Sequence, residues 1–201
     1  MLVNRDILAI TFSYFCMNYV FYLFFNWFFY YLTEVRRLPA VAGGAFTAAQ
    51  WIVGAVTATL GGVVCDRLSL RFGPKLGCRA TVMAGLLGSA PLLLVGAAVE
   101  SPNAAVGLLS CSFGLIQLTD GAYWTAAMRV AGRHGSAATG LMNTGGNVVG
   151  GIGALMVPLL AAAFGWEVAV SSGAAFAVIG AIVWLWIRAD RPMPEPHGQT
   201  R

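Results

Sequence analysis

The amino-acid sequence predicts an all-α membrane protein, with six transmembrane helices arranged as two inverted three-helix repeats. Three observations predict it. The 201-residue chain is 58% hydrophobic and 10% charged, with a mean hydropathy of +0.75, whereas a soluble domain carries about 25% charged residues. Its apolar residues gather in runs longer than the ~20 residues that cross a bilayer. Its loop cations fall almost entirely on one side if those runs alternate in direction.

The six expected spans are 7–32, 40–65, 78–99, 104–130, 137–164 and 166–187. Asp6 can cap the first. Pro39, after the Arg36 and Arg37 turn, opens the second. Ser101 and Pro102 open the fourth as an N-cap with proline at the first helical position. Gly165 and Glu167 separate the fifth from the sixth. Pro91 and Pro158 fall inside spans, where neighbouring helices absorb a kink. Residues 190–201, with Pro192, Pro194 and Pro196, read as a disordered cytoplasmic tail.

Arg5, Arg67, Arg71, Lys75, Arg79, Arg129, Arg133, Arg188, Arg191 and Arg201 lie on one side of these crossings, and Arg36 and Arg37 on the other. The positive-inside rule then puts both termini in the cytoplasm, with a bacterial inner membrane as the expected location. The same asymmetry accounts for the net charge of +4 and the pI of about 9.1 without a nucleic-acid partner. No stretch interleaves aromatic and basic residues as a nucleic-acid groove does. Cys16, Cys65, Cys78 and Cys111 show neither a CxxC pair nor a histidine at ligand spacing, so they read as structural thiols and no metal or cofactor is expected. HExxH and GxSxG motifs are missing, and no second intramembrane carboxylate forms an aspartyl dyad, so an intramembrane enzyme is not expected.

A shift of about 96 residues lays spans one to three over spans four to six, the self-similarity of nested transporter repeats. Gly44, Thr47, Trp51, Val53 and Gly54 then face Gly140, Asn143, Asn147, Val149 and Gly150. With three crossings per repeat, the second copy is inverted.

Several polar residues lie within the spans, where each is costly and is read as functional by default. Asp120 sits past the middle of the fourth span. It can carry a coupling proton, bind a coupling cation, pair with an arginine, or serve a helix terminus. Asn143 and Asn147 share a face of the glycine-rich fifth span at a spacing of four, and Gly146 and Gly150 form a GxxxG packing pair. Tyr14, Asn18, Tyr22, Asn26 and Tyr30 form a stripe on the first span that drifts ~40° per step. Thr47, Gln50 and Trp51 face inward from the second, with Thr47 able to bond its own backbone.

Gly62, Asp66, Arg67 and Arg71, between the second and third spans, resemble the Gly-x-x-x-Asp-Arg cytoplasmic loop of the major facilitator superfamily, with Ser69 where the family usually has glycine. Phe25-Asn26-Trp27-Phe28, Thr119 to Trp124, and Met142 to Asn147 resemble the anion:cation symporters within it, which include sugar-acid and aromatic-acid importers. The resemblance implies half of a major facilitator fold, the C-terminal one, carrying a small organic anion with a proton or another cation. By it Trp124 and Asn143 contact substrate, and Asn147, Asn26, Tyr22 and Gln50 join them at the cavity. Asp120 stands where many members have serine and is the expected coupling site. The Gly62–Arg71 group is expected to gate by bracing helix ends. The resemblance also implies a partner for the substrate anion that these spans lack, since they hold no central cation: an N-terminal six-helix half, or a second copy of a half-size protein. A membrane subunit with no transport of its own is the competing expectation.

Overall fold

The computed structural model describes residues 4–190. Most of the expected tail therefore lies outside the described residues. Six α-helices follow one another: α1 (Arg5–Tyr30), α2 (Ala40–Phe72), α3 (Pro74–Ala98), α4 (Pro102–Ala131), α5 (Gly135–Phe164) and α6 (Trp166–Val183). Among the described residues there is no strand. Five continuous helical stretches are long and apolar enough to cross a membrane. One of them is the 63-residue stretch Pro102–Phe164, which contains α4, the short turn Gly132–His134 and α5.

Helix ends follow their caps, and several differ from expectation. Asn4, not Asp6, caps α1: its Oδ1 accepts from the backbone N–H of Asp6 at 3.0 Å and of Ile7 at 3.1 Å. Asp6 instead accepts from the backbone N–H of Arg188 at 3.0 Å, tying the start of α1 to the segment that follows α6. Ser101 caps α4 as expected, with Ala104 N–H at 3.5 Å. α1 runs on through a π-helical turn, Tyr31–Val35. There Arg36 donates to Tyr31 Oη at 2.8 Å and to the carbonyls of Val99 at 2.7 Å, Ala97 at 2.8 Å and Gly96 at 3.3 Å, closing the C-terminus of α3. The next residue, Arg37, takes a left-handed φ of 58°.

The largest departure is at the Gly62–Arg71 segment. It is not a loop: α2 continues to Phe72, past the expected end at Cys65, and α3 begins at Pro74. The whole link is Gly73, whose φ of 87° suits a residue without Cβ. At 33 residues α2 is ~50 Å long, well beyond the ~30 Å hydrocarbon core, so its charged last turns need no loop to leave the membrane.

Small residues bring the helices together. A Cβ on Gly61 would run into the Leu118 carbonyl, so α2 touches the backbone of α4 there. Gly146 and Gly150 accept the rings of Tyr14 and Tyr22, seating α5 on α1. α2 packs on α4 and α5 on α1; α3 packs on α4 and α6 on α1; α2 meets α3 as α5 meets α6. A buried network at the centre joins three helices: Ser13 Oγ and Tyr123 Oη are 2.7 Å apart, and Ser13 Oγ donates to the Gly180 carbonyl at 2.8 Å.

Candidate functional site

Where α1, α4 and α5 meet, a cavity of about 450 Å³ is lined by Tyr14, Met17, Asn18, Phe21, Tyr22, Phe25, Gln117, Asp120, Asn143 and Asn147. Its volume is in the range of small-molecule sites. Aromatic rings and Met17 supply apolar walls, four carboxamides supply donors and acceptors, and Asp120 supplies the one carboxylate. Among the described residues, no lysine or arginine lines it.

The polar groups are held in two linked sets. Tyr14 Oη and Trp124 Nε1 both donate to Asp120 Oδ1, each at 3.3 Å. Asp120 Oδ2 receives neither of these bonds. Trp124 lies one helical turn beyond Asp120, and its ring packs edge-on against Tyr14 with centroids 6.5 Å apart. On the facing wall Tyr22 Oη donates to Asn147 Oδ1. Asn147 Nδ2 donates to the Asn143 carbonyl at 2.9 Å and to its Oδ1 at 3.2 Å. Asn18 Nδ2 donates to the Tyr14 carbonyl at 3.0 Å.

The structure thus brings Tyr22, Asp120, Asn143 and Asn147 to one cavity. Trp124 adjoins it through Asp120 and Tyr14 without lining it. Asp120 bonds a tyrosine and an indole rather than an arginine. Asn26 is exposed and outside the lining. The drift of the stripe explains this: three steps of ~40° carry Asn26 ~120° around α1 from Tyr14. Gln50 is buried in α2, 1% exposed, with Oε1 unpartnered among the described residues, and it does not line the cavity. Thr47 bonds its own helix, donating to the Gly43 carbonyl at 2.8 Å.

Phe21 and Phe25 line the cavity beside the polar stripe; the sequence presents Phe25 only as part of a family-like segment, and neither as a site residue. Their signal is their register, since each is one residue before a stripe position and so ~100° away on the same broad face. Asp66, Arg67 and Arg71 are exposed at the end of α2, with Arg71 set over the Phe72 ring at 5.2 Å.

The model of the Major Facilitator Superfamily matches residues 1–154. Over 151 residues the chain is 36% identical to the probable sulfoacetate transporter SauU of Cupriavidus necator, covering 73% of this chain and 34% of that protein. It is 28% identical over 153 residues to the hexuronate transporter of Bacillus subtilis, covering 72% and 36%. It is 27% identical over 202 residues to the D-galactonate transporter of Escherichia coli, covering 93% and 44%. The chain belongs to the major facilitator superfamily, and its relatives of the anion:cation symporter type are transporters, not enzymes. With its apolar helices, it is an integral membrane protein. It spans between about a third and less than half of the length of these relatives.

Proposed function

We propose that this chain is one half of a secondary transporter that carries a small organic anion, a sugar acid or related carboxylate or sulfonate, together with a proton or another cation. The observation that carries the reading is the cavity among α1, α4 and α5, where four carboxamides and two tyrosines surround one carboxylate. Amides and phenols suit the hydroxyls and oxyanion of such a substrate. Asn143, Asn147 and Tyr22 contact it, Trp124 supports the wall, and the exposed Asn26 faces the surface that a partner completes, while Gln50, buried in α2, stays behind that surface. A second six-helix half, or a second copy, supplies the cation that the substrate anion needs in a low-dielectric site. The length of the relatives supports this partner.

Asp120 is the coupling site. An anion beside an ionised carboxylate is repelled, so substrate enters with a proton or cation that neutralises Asp120. The free Oδ2 offers that position.

The six helices form two inverted three-helix repeats, and the 63-residue stretch Pro102–Phe164 makes two crossings. A straight helix of that length would run ~95 Å, three bilayer cores. Gly73 joins α2 to α3 with φ 87°, ψ 154°, and Gly165 joins α5 to α6 with φ 90°, ψ 162°. The same backbone turn thus recurs at matching points. The packing pairs exchange under the same swap. Both termini and the Gly62–Arg71 group lie in the cytoplasm, in a bacterial inner membrane, and Asp66 with Arg67 and Arg71 gates by bracing helix ends there.

The test is uptake of labelled galactonate, hexuronate and sulfoacetate by cells expressing this chain alone, or with the N-terminal half of one of the relatives. Uptake that requires both pieces and falls at least tenfold in Asn143→Ala supports the reading. Absence of uptake from both, with the two pieces shown to associate in the membrane, contradicts it. Uptake by this chain alone shows that a second copy is the partner.

A further inference from the structure

We infer that Cys65 and Cys78 form an oxidisable pair that closes to an intramolecular disulfide across the α2–α3 junction. Both side chains are fully buried, and their Sγ atoms lie 3.6 Å apart. A disulfide bond is ~2.05 Å, so the sulfurs need approach by only ~1.5 Å to bond. The other two cysteines stand apart from this pair, Cys16 buried in α1 and Cys111 exposed in α4.

The contact follows from the local fold. Gly73 turns the chain back in one residue, and α3 descends close against α2. A Cβ on Gly77 would lie 2.5 Å from the Ser69 backbone nitrogen and 2.7 Å from its Cα, so only glycine allows this approach. It seats Cys78 beside Cys65, with Ser69 Oγ 4.0 Å from the Cys65 sulfur. The pair brackets Asp66, Arg67, Arg71 and Gly73. A bond between the sulfurs encloses that group in one covalent ring and fixes the end of α2 to the start of α3. This is an oxidative lock on the segment, and it stands independently of which substrate the transporter carries.

The oxidant is a peroxide. One thiol loses its proton, and its sulfur attacks a peroxide oxygen, giving a sulfenic acid as the O–O bond breaks and water leaves. The second sulfur attacks the sulfenic sulfur, the S–S bond forms, and a second water leaves. Two thiols lose two electrons to one peroxide, and their two protons end in water. Because both thiols are buried, peroxide reaches them when the hairpin opens, and the pair reacts after the exposed Cys111.

The experiment treats the whole chain, reconstituted in lipid nanodiscs, with hydrogen peroxide. The chain is then denatured with an alkylating reagent, digested without reductant and mapped by mass spectrometry. The expected result is a Cys65–Cys78 linked peptide about 2 Da below the sum of its parts, reversed by dithiothreitol. It is absent in Cys65→Ser and Cys78→Ser, and Gly77→Ala lowers its yield. Modification of Cys111 reports that oxidant was delivered. If Cys111 is fully consumed and Cys65 and Cys78 are still both recovered as alkylated thiols when the time course and peroxide dose have been extended well beyond that point, or if either links to a different cysteine, the inference is overturned.

Discussion

Asp120 shows what a single residue contributes and how far it is legible. A carboxylate within an apolar run announces itself in any sequence, and so do two asparagines four residues apart. What the sequence does not reveal is the partner. Tyr14 lies 106 positions away and meets Asp120 only because α1 packs beside α4. The bond from Trp124, at i+4 on the same helix, follows from helical spacing alone. In the assembled transporter, Asp120→Asn is expected to abolish concentrative uptake while preserving exchange of substrate across the membrane. Uptake down and against a gradient, measured in the same vesicles, separates the two. Tyr14→Phe removes one of the two bonds to Oδ1 and is expected to slow uptake several-fold without changing the amount of folded protein, as read by fluorescence-detected gel filtration.

At the scale of the element, hydropathy locates all six helices, but their ends depend on particular caps. Asn4 and Asp6 are both good caps by type. The geometry selects Asn4, since Asp6 is taken by the N–H of Arg188. Charge misled the reading at the end of α2, where Asp66 and Arg67 suggested a loop. Charged residues suit the exposed end of a long helix equally well, and only the positive φ of Gly73 breaks it. Helix contacts rest on glycines that hydropathy cannot rank. Gly61→Ala forces a Cβ into the Leu118 backbone, and the variant is expected to lose about 1–3 kcal/mol of stability, measured by thermal unfolding in detergent. Gly62, its neighbour, has open space for a Cβ, so Gly62→Ala is expected to leave stability unchanged within about 0.5 kcal/mol. Arg36 is the clearest element device that the sequence hides. As one of two cations on the sparse side it reads only as a topology signal, yet it bonds three carbonyls at the end of α3. Arg36→Ala is expected to cost about 2 kcal/mol in the same unfolding assay.

For the whole molecule, the α-helical membrane architecture was legible because bilayer physics leaves few alternatives: an apolar run must satisfy its own backbone. The family was legible only through the resemblance of short motifs such as Thr119 to Trp124 and Met142 to Asn147. The cavity was legible in its chemistry but not in its membership. Helical drift turned Asn26 away, and the phenylalanines beside the stripe came to the wall instead. The orientation has its own test. In a Cys111→Ser background, a cysteine at Glu100 should react with a membrane-impermeant maleimide in intact cells. One at Leu70, 89% exposed at the end of α2, should react only after permeabilisation, and the opposite pattern reverses the topology. The central claim is that the cavity among α1, α4 and α5 holds the transported anion, and substrate protection at its wall tests that most directly. Phe25→Cys places a thiol on the lining, in cells carrying this chain with the partner half that supports uptake. Transported sugar acid is expected to slow maleimide labelling at this position at least fivefold, while an uncharged polyol of the same length leaves it unchanged. Labelling indifferent to the anion, in membranes where uptake of that anion is intact, would contradict the account.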